Sequence, residues 1–210
     1  DFGNETIFKI LKKKGKSKIS YFNQIIKLLI QIQSIKHRKV KNFRNQNYTI
    51  PKYDKKILIN EANLFCDWYA KNNLSKLRKK RFCKKFKKII KELTLKLKLK
   101  DNIFVHRDFH VSNLMSVKNQ IGLIDSQDAL IGNKAYDLAS LIDDVRLKTS
   151  YSFKEKIFKF YTKKQKNLDI KKFKNDFEIL SVLRNLKIIG IFTRLALRDR
   201  KKNYLRFIPY

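Results

Sequence analysis

Asp108, Asn113 and Asp125 are the residues whose types and spacing could together do chemistry in this 210-residue chain. The first two stand in HRDFHVSN, residues 106–113, and Asp125 follows the apolar run IGLI twelve residues beyond Asn113. A carboxylate, a carboxamide and a second carboxylate are oxygen donors, the set that suits hard Mg²⁺. Phosphoryl transfer leaves a protein little covalent work. It needs one group to accept or orient the acceptor's proton, and ligands that hold Mg²⁺ against the nucleotide phosphates. Asp108 is the candidate for the first task, and Asn113 and Asp125 for the second. His106, Arg107, Asp128 and Asp137 flank these positions as supporting residues, with His106 expected to pack rather than to act as base.

Plainer readings stand beside these. Asp108 and Asp125 could be strand-end turn residues and Asn113 a helix cap. His106 and His110, four apart, would suit a zinc pair on a helix, but a strand–turn context with Arg107 between them argues against one.

The elements that must position these groups are short. IFV at 103–105 and IGLI at 121–124 are each followed at once by a polar, acid-bearing segment, which predicts strand, loop, strand, loop across 101–137. Around this small β element the pattern is helical. Ile19, Phe22, Ile25, Ile26, Leu29 and Ile32 predict an amphipathic helix over 19–35 with Lys27 and the glutamines outward. Residues 41–55 read as a loop. A second helix carries Ile57, Leu64, Phe65 and Trp68. A third places Phe82, Phe86, Ile89, Ile90 and Leu93 on its core stripe, opposite ten Lys and Arg between Lys76 and Lys91. Asp137 is a candidate N-cap for DLASLIDDVRL, and further helices are predicted near 152–163 and 172–198. The fold class expected is α+β and mainly α.

Composition bounds the rest. With 43% hydrophobic residues and 12% aromatics, the chain can bury a sizeable core. The formal net charge of +33 invites a nucleic-acid reading, but only 11 of the 51 basic residues are Arg and the Lys is spread through nearly every segment. Solvated helix faces explain that pattern better than a dedicated nucleic-acid surface. Cys66 and Cys83 have no CxxC pairing or further partners, so neither a zinc ribbon nor a disulfide framework is indicated, and a reducing cytoplasm fits. No apolar run reaches the roughly 18 to 20 residues of a membrane span, so no membrane partner is expected.

HRDFHVSNLM followed by IGLIDSQDALIGNKAYDLASLIDD resembles the aminoglycoside phosphotransferase and choline kinase group, within the protein-kinase-like fold. The nearest likeness is to bacterial kinases that phosphorylate N-acetylmuramate and N-acetylglucosamine at the anomeric position. DFGNETIFKIL (1–11) resembles the segment after the family's hinge, and PKYDKKILINEANLFCDWY resembles part of its helical insertion near the sugar site, within 40–100. The resemblance implies a C-terminal catalytic lobe over 1–210, with the catalytic and metal loops at 101–137 and a helical subdomain at 138–210. It implies ATP and Mg²⁺ as cofactors, Met115 and Ile124 on the adenine floor, and a small hydroxylated acceptor, a sugar or amino sugar. The Gly-rich phosphate loop and the strand Lys of the family's N-terminal β lobe do not occur in this chain, which is expected to begin at the hinge and to bind ATP poorly alone. Asp1-Phe2-Gly3 resembles the kinase metal triplet but precedes the catalytic loop, whereas the metal Asp must follow it. Ser126 stands where the family has an aromatic. Only 11 residues, 126–136, separate Asp125 from Asp137, without the long activation segment of protein kinases. The competing expectation is an idle kinase-like module that binds nucleic acid or a protein partner through its basic surface.

Overall fold

The computed structural model describes residues 3–13, 18–118 and 120–208, so Asp1 and Phe2 of the opening triplet lie outside the described residues. Along the chain run α1 (Ile7–Lys12), α2 (Lys18–Gln33), β1 (Lys39–Lys41), β2 (Asn47–Thr49), α3 (Lys55–Leu64) and a π-helical turn (Phe65–Ala70). Then come α4 (Lys71–Asn73), α5 (Lys76–Leu95), β3 (Asp101–Val105), a 3₁₀ turn (Val111–Asn113), β4 (Leu114–Val117), β5 (Gln120–Leu123) and β6 (Leu130–Asn133). The chain closes with α6 (Tyr136–Ile142), α7 (Tyr151–Lys163), α8 (Ile170–Leu197) and a 3₁₀ segment (Lys202–Phe207). Among the described residues helix makes up 59% and the sheets are small, as the mainly α reading expected. Among the described residues no helix is long and apolar enough to cross a membrane.

Two compact units divide the chain: Asp1–Tyr53 with Leu99–Phe173, and Asp54–Lys98 with Lys174–Tyr210. In the first, α2 buries Phe22, Ile25, Ile26 and Leu29 at the predicted spacing, while Ile19 at its start stays exposed. Gln33 departs from the outward orientation expected of the glutamines. It is buried, donates to the Lys134 carbonyl at 3.0 Å and accepts the Tyr161 hydroxyl at 2.6 Å, so both ends of its amide are satisfied.

The stretch read as a loop over 41–55 contains a hairpin instead. Its strands β1 and β2 pair antiparallel, and Asn42 Oδ1 accepts the N–H groups of Arg44 and Gln46 to close the turn. All six strand residues are exposed, so no burial alternation marked them.

Among the described residues three antiparallel pairs form the β structure: β1–β2, β3–β6 and β4–β5. Strands β3 and β5 are the expected ones, whereas β4 and β6 were not anticipated. Sequence neighbours pair in β4–β5, with Leu114 opposite Leu123 and Met115 opposite Gly122. β3 reaches past them to β6, with Phe104 opposite Ile131 and Val105 opposite Leu130. The free edge of β6 takes residues 51–53: Pro51 O accepts from Ile131 N at 2.8 Å, and Tyr53 N donates to Ile131 O at 2.7 Å. Thr6 likewise bridges to Met115 on the free edge of β4.

Asp137 is not the N-cap of α6. Ala135 holds the cap position, and Asp137 lies in the first turn with its carboxylate fully buried and used elsewhere. The helix also ends at Ile142 rather than running through DDVRL. Asp144 Oδ1 accepts the Arg146 N–H at 3.1 Å, an Asx turn that competes with helix continuation.

In the second unit, Asp54 caps α3 by accepting the Ile57 N–H at 2.9 Å. The buried residues along α3 and the π-turn are Leu58, Ala62, Cys66 and Ala70, spaced by four, while the anticipated Ile57, Leu64, Phe65 and Trp68 flank them half-buried. Glu61 pairs with Lys187 at 3.0 Å, and a Cβ on Gly190 would lie 2.4 Å from the Leu64 carbonyl carbon. The matched offsets mean that α3 and α8 run in the same general direction where they touch, and only glycine permits that approach. On α5 the expected core stripe is too wide. Ile90 is buried, but Phe82 and Ile89 are about two-fifths exposed, and Phe82 stacks on Phe86 instead. Cys66 and Cys83 are free thiols and mutual neighbours, and burial, then the contact with Cys83, pushes the Cys66 thiol up to about 12.

Candidate active site

All the candidate residues belong to the first unit. Strand β3 delivers the chain to His106, where the buried Asp137 carboxylate accepts the N–H of His106 at 2.7 Å and of Arg107 at 3.0 Å. Two bonds from one buried carboxylate pin the backbone immediately before Asp108 to the first turn of α6. Arg107 adopts φ of 73°, a left-handed conformation that costs a non-glycine residue energy and persists where its surroundings enforce it.

The loop then closes on itself. The Asp108 carbonyl accepts the His110 N–H and the Asn113 Nδ2–H, each at 3.0 Å, and the His110 carbonyl accepts the Asn113 N–H at 2.9 Å. Residues 106–110 therefore form a loop rather than a helix, and the two histidines lack the helical i, i+4 geometry of a zinc pair.

The second acid is tied to the same loop. Ile124 N–H donates to the Asn113 carbonyl at 3.1 Å, and His106 Nε2 lies 3.0 Å from the Ile124 carbonyl. A carbonyl only accepts, so Nε2 carries the proton there. The peptide linking Ile124 to Asp125 is thus held by the imidazole, and Asp125 itself is exposed with φ of 65°. Five hydrogen bonds thus tie the segments around Asp108, Asn113 and Asp125: three lie within residues 108–113, and two, Ile124 N–H to the Asn113 carbonyl and His106 Nε2 to the Ile124 carbonyl, run between the loops.

Burial lowers the His106 imidazole below its ordinary 6.5, while the Ile124 carbonyl and the carboxylates of Asp108 and Asp125 pull partly the other way. The imidazole is therefore neutral in the fold and charges more readily when unfolded. Stability should be full above the unfolded value and fall as pH drops below it toward the folded one. Melting temperatures between about pH 7.5 and pH 5 should show this decline, and His106→Gln, which cannot charge, should flatten that part of the curve. An unchanged slope in His106→Gln would mean that other groups set it.

The remaining candidates are placed as follows. Asp128 contributes its main chain: its carbonyl accepts Arg107 Nη1 at 3.2 Å, while the residue is exposed. Met115 is buried in β4, and Ile124 is half-buried just after β5. Ser126 is exposed and its carbonyl accepts the Ala129 N–H at 3.1 Å. Tyr53, which sequence reasoning passed over, lies with Arg107 5.4 Å above its ring.

The donor set fits Mg²⁺. Asn113 spends its amide nitrogen on Asp108, which leaves Oδ1 as the acceptor, and Asp125 adds an exposed carboxylate. Among the described residues no group of three or more His, Cys, Asp and Glu could hold an ion. Mg²⁺ uses one or two protein oxygens and completes its shell with phosphates and water, so a pair of this kind is what it requires.

Residues 20–168 match the phosphotransferase enzyme family, APH, and the chain belongs to that family. Among curated relatives, it is 32% identical to an N-acetylmuramate/N-acetylglucosamine kinase of Neisseria meningitidis serogroup B, across 76% of this chain and 50% of that protein. It is 29% identical to the protein of the same name from Pseudomonas aeruginosa, across 100% of this chain and 60% of that one. The chain thus spans about half to three-fifths of the length of these relatives. Among solved structures, the ethanolamine kinase of Plasmodium vivax matches with a TM-score of 0.65 at 13% identity, covering 99% of this chain and 61% of that one. An AMP-bound spectinomycin phosphotransferase matches with a TM-score of 0.64 at 14% identity, covering 98% and 65%. These likenesses establish the fold.

Proposed function

We propose that the protein containing this chain transfers the γ-phosphoryl group of ATP to a hydroxyl of an amino sugar. The observation that carries the reading is the hydrogen-bonded joining of the loop around Asp108 and Asn113 to the peptide before Asp125, in a member of a phosphotransferase family. Asp108 accepts or orients the proton of the acceptor hydroxyl. Asn113 Oδ1 and the Asp125 carboxylate hold Mg²⁺, which when bound neutralises charge on the nucleotide phosphates. His106 and Asp137 fix the backbone of the two loops, while Met115 and Ile124 form the apolar floor beneath the adenine.

Two observations support a small acceptor. The names of the relatives specify N-acetylated sugars. The segment between Asp125 and Asp137 is short, and β6 within it pairs with β3, leaving little chain for an activation segment of the protein-kinase kind. In this reading the Gly-rich loop and phosphate-binding Lys lie upstream in an N-terminal β lobe, residues 1–210 form the C-terminal lobe and are inactive alone, and the protein works in the cytoplasm.

Acceptor-dependent ADP release by the full-length protein tests the proposal. N-acetylglucosamine and N-acetylmuramate should stimulate turnover in the presence of Mg²⁺, and ethanolamine and spectinomycin should not. Stimulation by neither sugar would sink it.

A further inference from the structure

Tyr53 is buried, 2% exposed, yet it faces a cation rather than only apolar neighbours. The Arg107 guanidinium carbon lies 5.4 Å from the centre of its ring, within the distance at which an aromatic face attracts a cation. The ring also meets Tyr136 edge-on, at 4.8 Å and 67°. Tyr136 is the residue before Asp137, whose carboxylate holds the Arg107 N–H. One side chain thus touches Arg107, which the clamp before Asp108 holds, and Tyr136, the chain neighbour of the Asp137 that holds it.

The ring is itself fixed. Tyr53 N–H donates to the Ile131 carbonyl at 2.7 Å, and Pro51 O accepts from Ile131 N at 2.8 Å, so the backbone beneath the ring is an added strand on β6. Gly132 makes room for it: a Cβ there would come within 2.8 Å of the Tyr53 Cβ. Arg107, meanwhile, is in a left-handed conformation that must be enforced from outside. Its N–H is held by Asp137 and its Nη1 by the Asp128 carbonyl. The ring face adds a restraint that acts on the face of the guanidinium plane.

We propose that Tyr53 is a positioning residue for phosphoryl transfer: its ring holds Arg107, and Arg107 so held sets the direction in which the next residue, Asp108, presents its carboxylate. This rests on the reading of Asp108 given above. Small displacements of a reacting group are costly in rate, up to about a hundredfold for an ångström.

The test uses the full-length protein with Tyr53→Leu, Tyr53→Phe, Arg107→Met and the double variant Tyr53→Leu/Arg107→Met. Tyr53→Leu and Arg107→Met should each lower kcat by about ten- to a hundredfold with KM for ATP within about threefold of wild type. Tyr53→Phe, which keeps the ring face, should retain at least about a third of the activity, and the double variant should be no worse than the poorer single one. Amide hydrogen exchange at residues 106–108 should quicken in Tyr53→Leu and Arg107→Met and stay slow in Tyr53→Phe. Wild-type kcat in Arg107→Met, multiplied losses in the double variant, or exchange that quickens evenly across the unit would each overturn the proposal. Arg107→Met keeps the test open if Tyr53→Leu does not fold. The exchange readout does not depend on which acceptor is used, so a failure of the sugar-kinase reading is distinguishable from a failure of this one.

Discussion

Asp108→Asn in the full-length protein is expected to lower kcat by about a hundred- to ten-thousandfold, or roughly 3–5 kcal/mol of barrier, while nucleotide affinity and melting temperature stay near wild type. The separation follows from how residue 108 is held. Its main-chain carbonyl accepts from both His110 and Asn113, and the backbone before it is fixed by Asp137, so none of the restraints passes through the Asp108 carboxylate. Asparagine keeps the size and can still hydrogen-bond the acceptor hydroxyl. It removes the charge that takes or orients the proton. Single-turnover rates and nucleotide titrations with Mg²⁺ check the two halves of this expectation, and full activity in Asp108→Asn would remove the loop from the chemistry.

Asp125→Asn should differ in kind. A carboxylate ligand is replaced by a neutral one, so turnover should fall by about a hundredfold or more and Mg²⁺-dependent nucleotide binding should weaken with it. Raising the Mg²⁺ concentration should recover part of the loss, which it cannot do for Asp108→Asn. The substitution is clean because Asp125 sits at φ of 65°, where asparagine is among the best-tolerated residues. Alanine at the same position would add backbone strain and confound the result. Identical kinetic profiles for the two variants would contradict the separate roles assigned to them.

The parts of the fold legible in the sequence were those with long apolar periods. The helices expected over 19–35, near 152–163 and near 172–198 correspond to α2, α7 and α8, because several turns of spacing average out local exceptions. Strands β4 and β6 were not legible. Each is four residues long, and in β6 the apolar Leu130 and Ile131 are followed by Gly132 and Asn133, residues that ordinarily mark a turn. The pairing of β3 with β6 is a long-range choice that no local pattern encodes.

At the candidate site, the spacing of HRDFHVSN and Asp125 pointed to the residues, since chemistry constrains residue type as well as position. It could not show what holds them. Asp137 looked like a helix cap because Asp is common there, yet its carboxylate reaches back thirty residues to His106 and Arg107. Tyr53 looked like part of a loop, and its relation to Arg107 appears only once residues 51–53 are laid along β6. Gln33 shows the same limit, a polar residue on a helix whose partners, Lys134 and Tyr161, are more than a hundred residues away.

Phosphorus NMR of the reaction mixture is the most direct measurement. The full-length protein is incubated with ATP, Mg²⁺ and N-acetylglucosamine, and the expected result is loss of the γ-phosphate resonance of ATP with matching growth of a sugar phosphate monoester. The new resonance should couple to the anomeric proton, and it should be absent when Asp108→Asn replaces the wild-type protein for the same time. ATP consumed with only inorganic phosphate appearing, or sugar phosphate formed equally well by Asp108→Asn, would contradict the assignment of this chain as an amino-sugar kinase lobe acting through Asp108.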